Sequence, residues 1–170
     1  MGTFTKGFSS AGGYISGSTN LINRIRLYNH SSVYAEAMSV PVLALIYSSM
    51  KVIMGEDNTT DGRRRINNLA AVTKRFRAGL KEMGFVILGD EASCVVPLLI
   101  YHPVKVEPFS TEMLKRDIAV VVVGYPATPL TEPRARFCLS AAHTMEDVEI
   151  ALKAIKEVGD LLNLRYLAKE

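Results

Sequence analysis

Lys6 stands among small residues, after Gly2-Thr3-Phe4-Thr5 and directly before the glycine-rich run Gly7-Phe8-Ser9-Ser10-Ala11-Gly12-Gly13-Tyr14. That setting suits covalent chemistry at a carbonyl. A lysine amine attacks an aldehyde only in its neutral form, which desolvation or neighbouring cations favour, and small flanking residues leave room for a flat cofactor ring and its phosphate. Two readings stand side by side: a Schiff-base lysine, or a surface lysine in a flexible N-terminal segment, because short glycine-rich motifs recur by chance.

The elements that must position this lysine alternate between strand and helix. Gly13 to Ser16 reads as a short strand, Asn20 to Tyr28 as a helix and Ser31 to Ala35 as a second short strand. Pro41 opens the next helix, at the first-turn position that proline tolerates. The apolar segment Val40 to Met54 is shorter than the roughly 20 residues a membrane span needs, contains Ser48, Ser49 and Lys51, and reads as a buried helix. From Asp61 to Met83 the residues Ile66, Leu69, Ala70, Phe76, Leu80 and Met83 follow helical spacing, and Gly84 supplies a left-handed stop. Beyond it, Phe85 to Leu88, Val95 to Tyr101, Ile118 to Val123 and Arg136 to Ser140 have strand-like length and composition. Helices are expected near Thr111 to Lys115 and over Met145 to Leu162, the latter opened by a capping box of Thr144 with Asp147 and lined by Val148, Leu152, Ile155 and Leu162.

With 170 residues, 48% of them apolar, the chain can bury a core and has room for one domain plus part of another. Its net charge of +3 is mild, and Arg63-Arg64-Arg65 with Lys74, Arg75, Arg77 and Lys81 read as a solvated helix face, giving no nucleic-acid surface. The two cysteines are Cys94 and Cys138; Cys138 sits in the apolar run Arg136 to Ala142 and is expected to be a reduced, buried thiol in a reducing compartment. No signal peptide is visible. His30 carries no assignment, His102 and His143 read as structural, and no Cys/His spacing suggests a metal.

Gly2-Thr3-Phe4-Thr5-Lys6, Ala11-Gly12-Gly13-Tyr14-Ile15, Gly124-Tyr125-Pro126-Ala127-Thr128-Pro129 and Arg134-Ala135-Arg136-Phe137-Cys138-Leu139-Ser140-Ala141-Ala142-His143-Thr144 together resemble the pyridoxal-phosphate α-oxoamine synthases. Within that family the likeness is to the catalytic, second long-chain-base subunits of serine palmitoyltransferases. It runs over essentially the whole chain, including Leu80-Lys81-Glu82-Met83-Gly84-Phe85, Met113-Leu114-Lys115-Arg116 and Glu157-Val158-Gly159-Asp160-Leu161-Leu162. The fold it implies is α/β, the C-terminal part of a fold-type I pyridoxal-phosphate transferase. Residues 1–84 would end a large cofactor-binding domain with an interdomain helix, and residues 85–170 would form a small α+β domain. The resemblance also implies a C-terminal portion lacking the histidine that stacks on the cofactor ring and the aspartate that pairs with its pyridine nitrogen. Such a portion is expected to be inactive alone.

The resemblance assigns roles as well. Lys6 would carry pyridoxal 5'-phosphate and later move protons at the substrate carbon. Thr3 would hydrogen-bond the phosphate, with weaker support for Thr5. Arg136 would face the amino-acid carboxylate through its planar fork. Arg134 shares the strand face, with pairing to Glu132 as its alternative. Pro126 and Thr128 lie in a loop that would be a mobile flap over the substrate or, since two prolines fix their φ angles, a rigid connector. Glu36 stands where related chains carry a small hydroxyl residue near a cofactor phosphate across the dimer; its charge would repel that phosphate, which fits a heterodimer with the first long-chain-base subunit, whose site is dead. The implied reaction condenses L-serine with palmitoyl-CoA at the cytosolic face of the endoplasmic reticulum membrane, with membrane association through segments outside these residues. Two alternatives remain open: another α-oxoamine synthase, or a non-catalytic product that binds the partner subunit.

Overall fold

The structure is a computed structural model describing residues 1–164. The chain divides into two compact units, Met1–Arg63 and the residues from Arg64 on. In the first unit, strands β1 (Gly2–Thr3) and β2 (Gly13–Tyr14) pair antiparallel, Gly2 opposite Tyr14 and Thr3 opposite Gly13. Helix α1 (Thr19–Tyr28) starts where the Ser18 hydroxyl accepts the Leu21 N–H.

Two expectations fail in this unit. The segment read as a strand at Ser31 to Ala35 is helix α2 (His30–Tyr34). Its β-branched and aromatic residues favour a strand, yet Asn29 Oδ1 accepts the Ser31 N–H at 3.1 Å and caps a helical turn instead. Helix α3 (Val40–Met54) forms around Pro41 and stops at Gly55, whose φ of 76° is left-handed, but of its residues only Ile46 is buried. Val40, Leu43, Leu45, Tyr47, Met50 and Met54 stay exposed, because the apolar residues of this helix lie on more than one side and within this unit only Ile46 is covered.

The second unit holds the core. Helix α4 (Asp61–Glu82) presents Val72, Phe76 and Leu80 inward and ends at Gly84, with φ of 82°. A three-stranded antiparallel sheet has the order β3 (Val95–Leu99), β5 (Arg134–Cys138), β4 (Val121–Val123). Helix α5 (Val106–Leu114) contributes Phe109 and Met113, and α6 (Met145–Leu161) contributes Val148, Leu152, Ile155 and Val158. Phe137 on β5 packs its ring against Phe76 at 5.3 Å and Phe109 at 6.4 Å between centroids, tying helices to sheet. The expected strand at Phe85 to Leu88 is reduced to a single bridge, Ile87 opposite Leu98.

The division after Arg63 and the boundary expected after Gly84 differ by the length of α4, whose buried face belongs to the second unit's core. The solvated basic face needs correction at Arg77, which is buried at 2% exposure. Cys138 also departs from expectation. It is a free thiol, but exposed, because β5 alternates and turns Ala135 and Phe137 inward.

Candidate functional site

Thr3 and Lys6 share one loop of the first unit. The Phe4 N–H donates to the Gly12 carbonyl and the Ser10 N–H to the Phe4 carbonyl, each at 3.0 Å, closing the loop, while the Ser9 N–H reaches the Lys6 carbonyl at 3.4 Å. The Phe4 ring packs on Phe8 at 5.2 Å and on Tyr14 at 5.3 Å between centroids. Gly13 is required by the close strand approach, since a Cβ there would stand 2.6 Å from the Gly2 carbonyl oxygen. The Thr3 hydroxyl lies 2.9 Å from that of Thr5, donates to the Gly12 carbonyl at 3.2 Å and accepts the Thr5 N–H at 3.2 Å. Lys6 is exposed in the turn, and its side-chain amine has no hydrogen-bond or ion-pair partner among the described residues. The loop therefore offers a free amine beside paired hydroxyls and small residues, a composition that fits a flat phosphorylated aldehyde. It does not itself desolvate the amine.

Pro126, Thr128 and Arg136 belong to the second unit. Arg136 is exposed on β5 and unpaired among the described residues; with Cys138, two positions on, it borders a cleft of about 430 Å³. Ile118, Val120, Leu139 and Ile150 give that cleft apolar walls, so a guanidinium fork stands beside apolar surface. Arg134 takes the alternative foreseen for it, donating to the Glu132 carboxylate at 3.3 Å and the Glu132 carbonyl at 3.2 Å. Pro126 is exposed. Thr128 is 8% exposed with its hydroxyl unpartnered, in a turn closed by the Ala127 and Thr128 N–H groups donating to the Gly124 carbonyl.

His143 and Asp147 border the same cleft. His143 Nδ1 accepts the Ser140 N–H at 3.1 Å, and Asn68 on α4 donates to the Ala141 and His143 carbonyls at 2.9 Å each, fixing the turn between β5 and α6. Asp147 accepts from the Thr144 N–H and hydroxyl, both at 2.8 Å, and these bonds hold its carboxyl below the usual range. Asn68 carries no assignment from sequence, and Cys138 is read there as a buried thiol rather than as part of a cleft wall. The period-two alternation around Phe137 was the available signal for Cys138, and nothing local marks Asn68.

Residues 1–155 match the sequence profile of "Aminotransferase class I and II". The chain belongs to the aminotransferase class I and II family. Among curated members of that family it is 54% identical over 166 residues to serine palmitoyltransferase 3 of Homo sapiens, covering 98% of this chain and 30% of that protein. It is likewise 54% identical to serine palmitoyltransferase 2 of Schizosaccharomyces pombe, over 98% of this chain and 28% of the relative. With long chain base biosynthesis protein 2a of Arabidopsis thaliana the identity is 46%, over 100% of this chain and 35% of the relative. Solved structures bear out the family's α/β fold. Serine palmitoyltransferase of Sphingomonas wittichii superposes with a TM-score of 0.79 at 21% identity, over 96% of this chain and 40% of that one. The 8-amino-7-oxononanoate synthase of Francisella tularensis gives 0.71 at 15% identity, over 94% and 44%. The chain spans about a third of the length of the curated family members it matches.

Proposed function

We propose that these residues are the C-terminal portion of a pyridoxal-phosphate-dependent acyltransferase of the serine palmitoyltransferase type. The observation that carries the reading is 54% identity over 98% of the chain to a protein of that name, in a sequence whose turn presents Lys6 beside Thr3. Residues 1–84 would contribute to the cofactor-binding domain and residues 85–170 would be the small domain.

When bound, pyridoxal 5'-phosphate supplies an electron sink for charge developing at the amino-acid α-carbon. Lys6 would hold the cofactor at its carbonyl carbon, give way to the amine of L-serine, and then move the α-proton with its freed amine. Thr3 would donate its hydroxyl to the phosphate in place of the Gly12 carbonyl it now contacts. Arg136, whose guanidinium has no partner among the described residues, would bind the serine carboxylate through paired charged hydrogen bonds, with Pro126 and Thr128 bordering the substrate. In the net reaction a carbon–carbon bond forms at the palmitoyl carbonyl as the carbon–sulfur bond to coenzyme A breaks. Carbon dioxide leaves, and 3-ketodihydrosphingosine is the product.

The complete enzyme would pair with a first long-chain-base subunit at the endoplasmic reticulum membrane. Among the described residues no helix is long and apolar enough to cross a membrane, so anchoring would lie elsewhere in the enzyme. The exposed apolar side of α3 favours a companion reading for the chain alone, namely that it binds other protein surface without turnover. The purified chain with pyridoxal phosphate, followed by absorbance before and after borohydride reduction, tests both. A reducible band lost in Lys6→Ala supports a retained cofactor pocket; a band unaffected by that substitution refutes Lys6 as the attachment point, and no band leaves interaction as what the chain alone can do.

A further inference from the structure

Arg77 is a guanidinium with 2% exposure, on the inner side of α4, with no carboxylate bonded to it among the described residues. Burying a charge is costly unless hydrogen bonds satisfy it. Here the partners are backbone carbonyls: Nη1 donates to Leu88 at 3.2 Å, Nη2 to Ser93 at 3.1 Å and Val95 at 3.0 Å, and Nε to Ser93 at 3.3 Å. The side chain thus pins both ends of the turn that leads into β3.

The Leu88 contact has a specific cause. Residues 86–88 lie antiparallel to β3, with the Leu99 N–H donating to Val86 and the Leu88 N–H donating to Pro97, both at 2.9 Å. In that pattern Leu88 and Pro97 face each other and would exchange two bonds, one in each direction. Proline has no N–H to return. The Leu88 carbonyl would be left unpaired inside the fold, and the Arg77 guanidinium supplies the missing donor. On its other edge Pro97 stands opposite Arg136 in the β3–β5 register.

We propose that Arg77 is a positioning residue for Arg136. It completes the strand pair at the one point where Pro97 cannot, and so fixes β3 where β3 sets the place of Arg136 along β5. The proposal rests on the reading of Arg136 as the carboxylate-binding group, and the experiment separates the two. In the complete enzyme carrying this chain, purified with its cofactor, KM for L-serine and for palmitoyl-CoA are measured for Arg77→Lys, Arg136→Lys and the double variant. Misplacing a binding group by a fraction of an ångström to an ångström is expected to raise the serine KM about tenfold in Arg77→Lys, with the palmitoyl-CoA KM within about twofold of the parent. In the Arg136→Lys background the Arg77 change should move the serine KM less than about twofold, since both act through one contact.

Pro97→Ala restores the backbone donor and is expected to return the serine KM of Arg77→Lys towards the parent, which a merely stabilising arginine would not produce. If Arg77→Lys does not fold, Gly89→Ala takes its place. Its φ of 86° strains any side chain and so shifts the turn whose Leu88 carbonyl Arg77 holds, while the added Cβ makes only an ordinary contact with Arg77 Nη2 at 3.4 Å, and it too must raise the serine KM. Full multiplication of the two arginine effects, an unchanged serine KM in the clamp variants, or equal loss for both substrates overturns the positioning role. An Arg136→Lys enzyme with unchanged serine KM overturns instead the carboxylate reading on which it rests.

Discussion

Gly159→Ala should destabilise the chain although it improves the helix propensity of α6. Gly159 is buried on that helix, and an added Cβ would lie 2.7 Å from Phe85 Cε1, with Cζ closer still. Phe85 has no room to retreat. Its ring is 0% exposed, and its N–H is held by the Leu80 carbonyl at 3.1 Å as the chain leaves α4. Replacing glycine by alanine in a helix contributes about 1 kcal/mol of stability. Overpacking a rigid core contact costs about 1–3 kcal/mol. The balance favours destabilisation, by about 1–2 kcal/mol at the upper end of that range, which for a chain of this size lowers Tm by about 3–6 °C. Urea and thermal unfolding followed by circular dichroism measure it, with an unchanged m value showing that stability alone moved. Gly79→Ala is the control: its Cβ meets Leu152, at 2.5 Å from Cδ1 and 3.0 Å from Cδ2, but these are the free ends of a flexible side chain rather than a rigid ring, so its loss should be smaller. A Gly159→Ala chain as stable as the parent, or more so, would refute the claim that the Phe85 ring cannot yield.

Thr144→Ala removes the hydroxyl that accepts the Asp147 N–H at 3.1 Å and should cost about 1 kcal/mol, read as a lower urea midpoint that Thr144→Ser largely restores. Acid should destabilise the fold through carboxylates held below their usual range: Asp147 by Thr144, Glu91 by Lys81, and Glu112 by Lys115 and Arg116. Because the folded values are the lowered ones, their stabilisation is complete above the ordinary carboxylate pKa of about 4 and drains away as pH falls through the folded values. The urea midpoint should therefore drop on that side, with a shallower slope in Asp147→Asn. Iodoacetamide should label Cys138 in the native chain ahead of the half-buried Cys94, and peptide mass spectrometry showing the reverse order would contradict the strand alternation at Phe137.

What was legible in the sequence was local. The capping box of Thr144 with Asp147 forms as its spacing requires, and Pro41 and Gly84 mark a helix start and a helix stop because each acts on its own φ angle. Errors came where a distant or competing partner decides. Asn29 converts Ser31 to Tyr34 from strand to helix with a single side-chain bond. Arg77 belongs to a basic run, yet the carbonyls that draw it inward lie eleven to eighteen positions further along the chain. Pro97 was the available clue, for a proline within a strand asks where the missing donor comes from.

Of the buried apolar residues among those described, Ile46 alone precedes Arg64. Protection against opening scales with what an opening exposes, so the first unit has little to lose by unfolding locally, while the second must surrender its whole interior. A protease would meet the two halves as different substrates, trimming the chain towards Arg64 and then slowing. In a cell, the lifetime of the lysine-bearing turn would follow that of its own unit, and clearance would begin within residues 1–63.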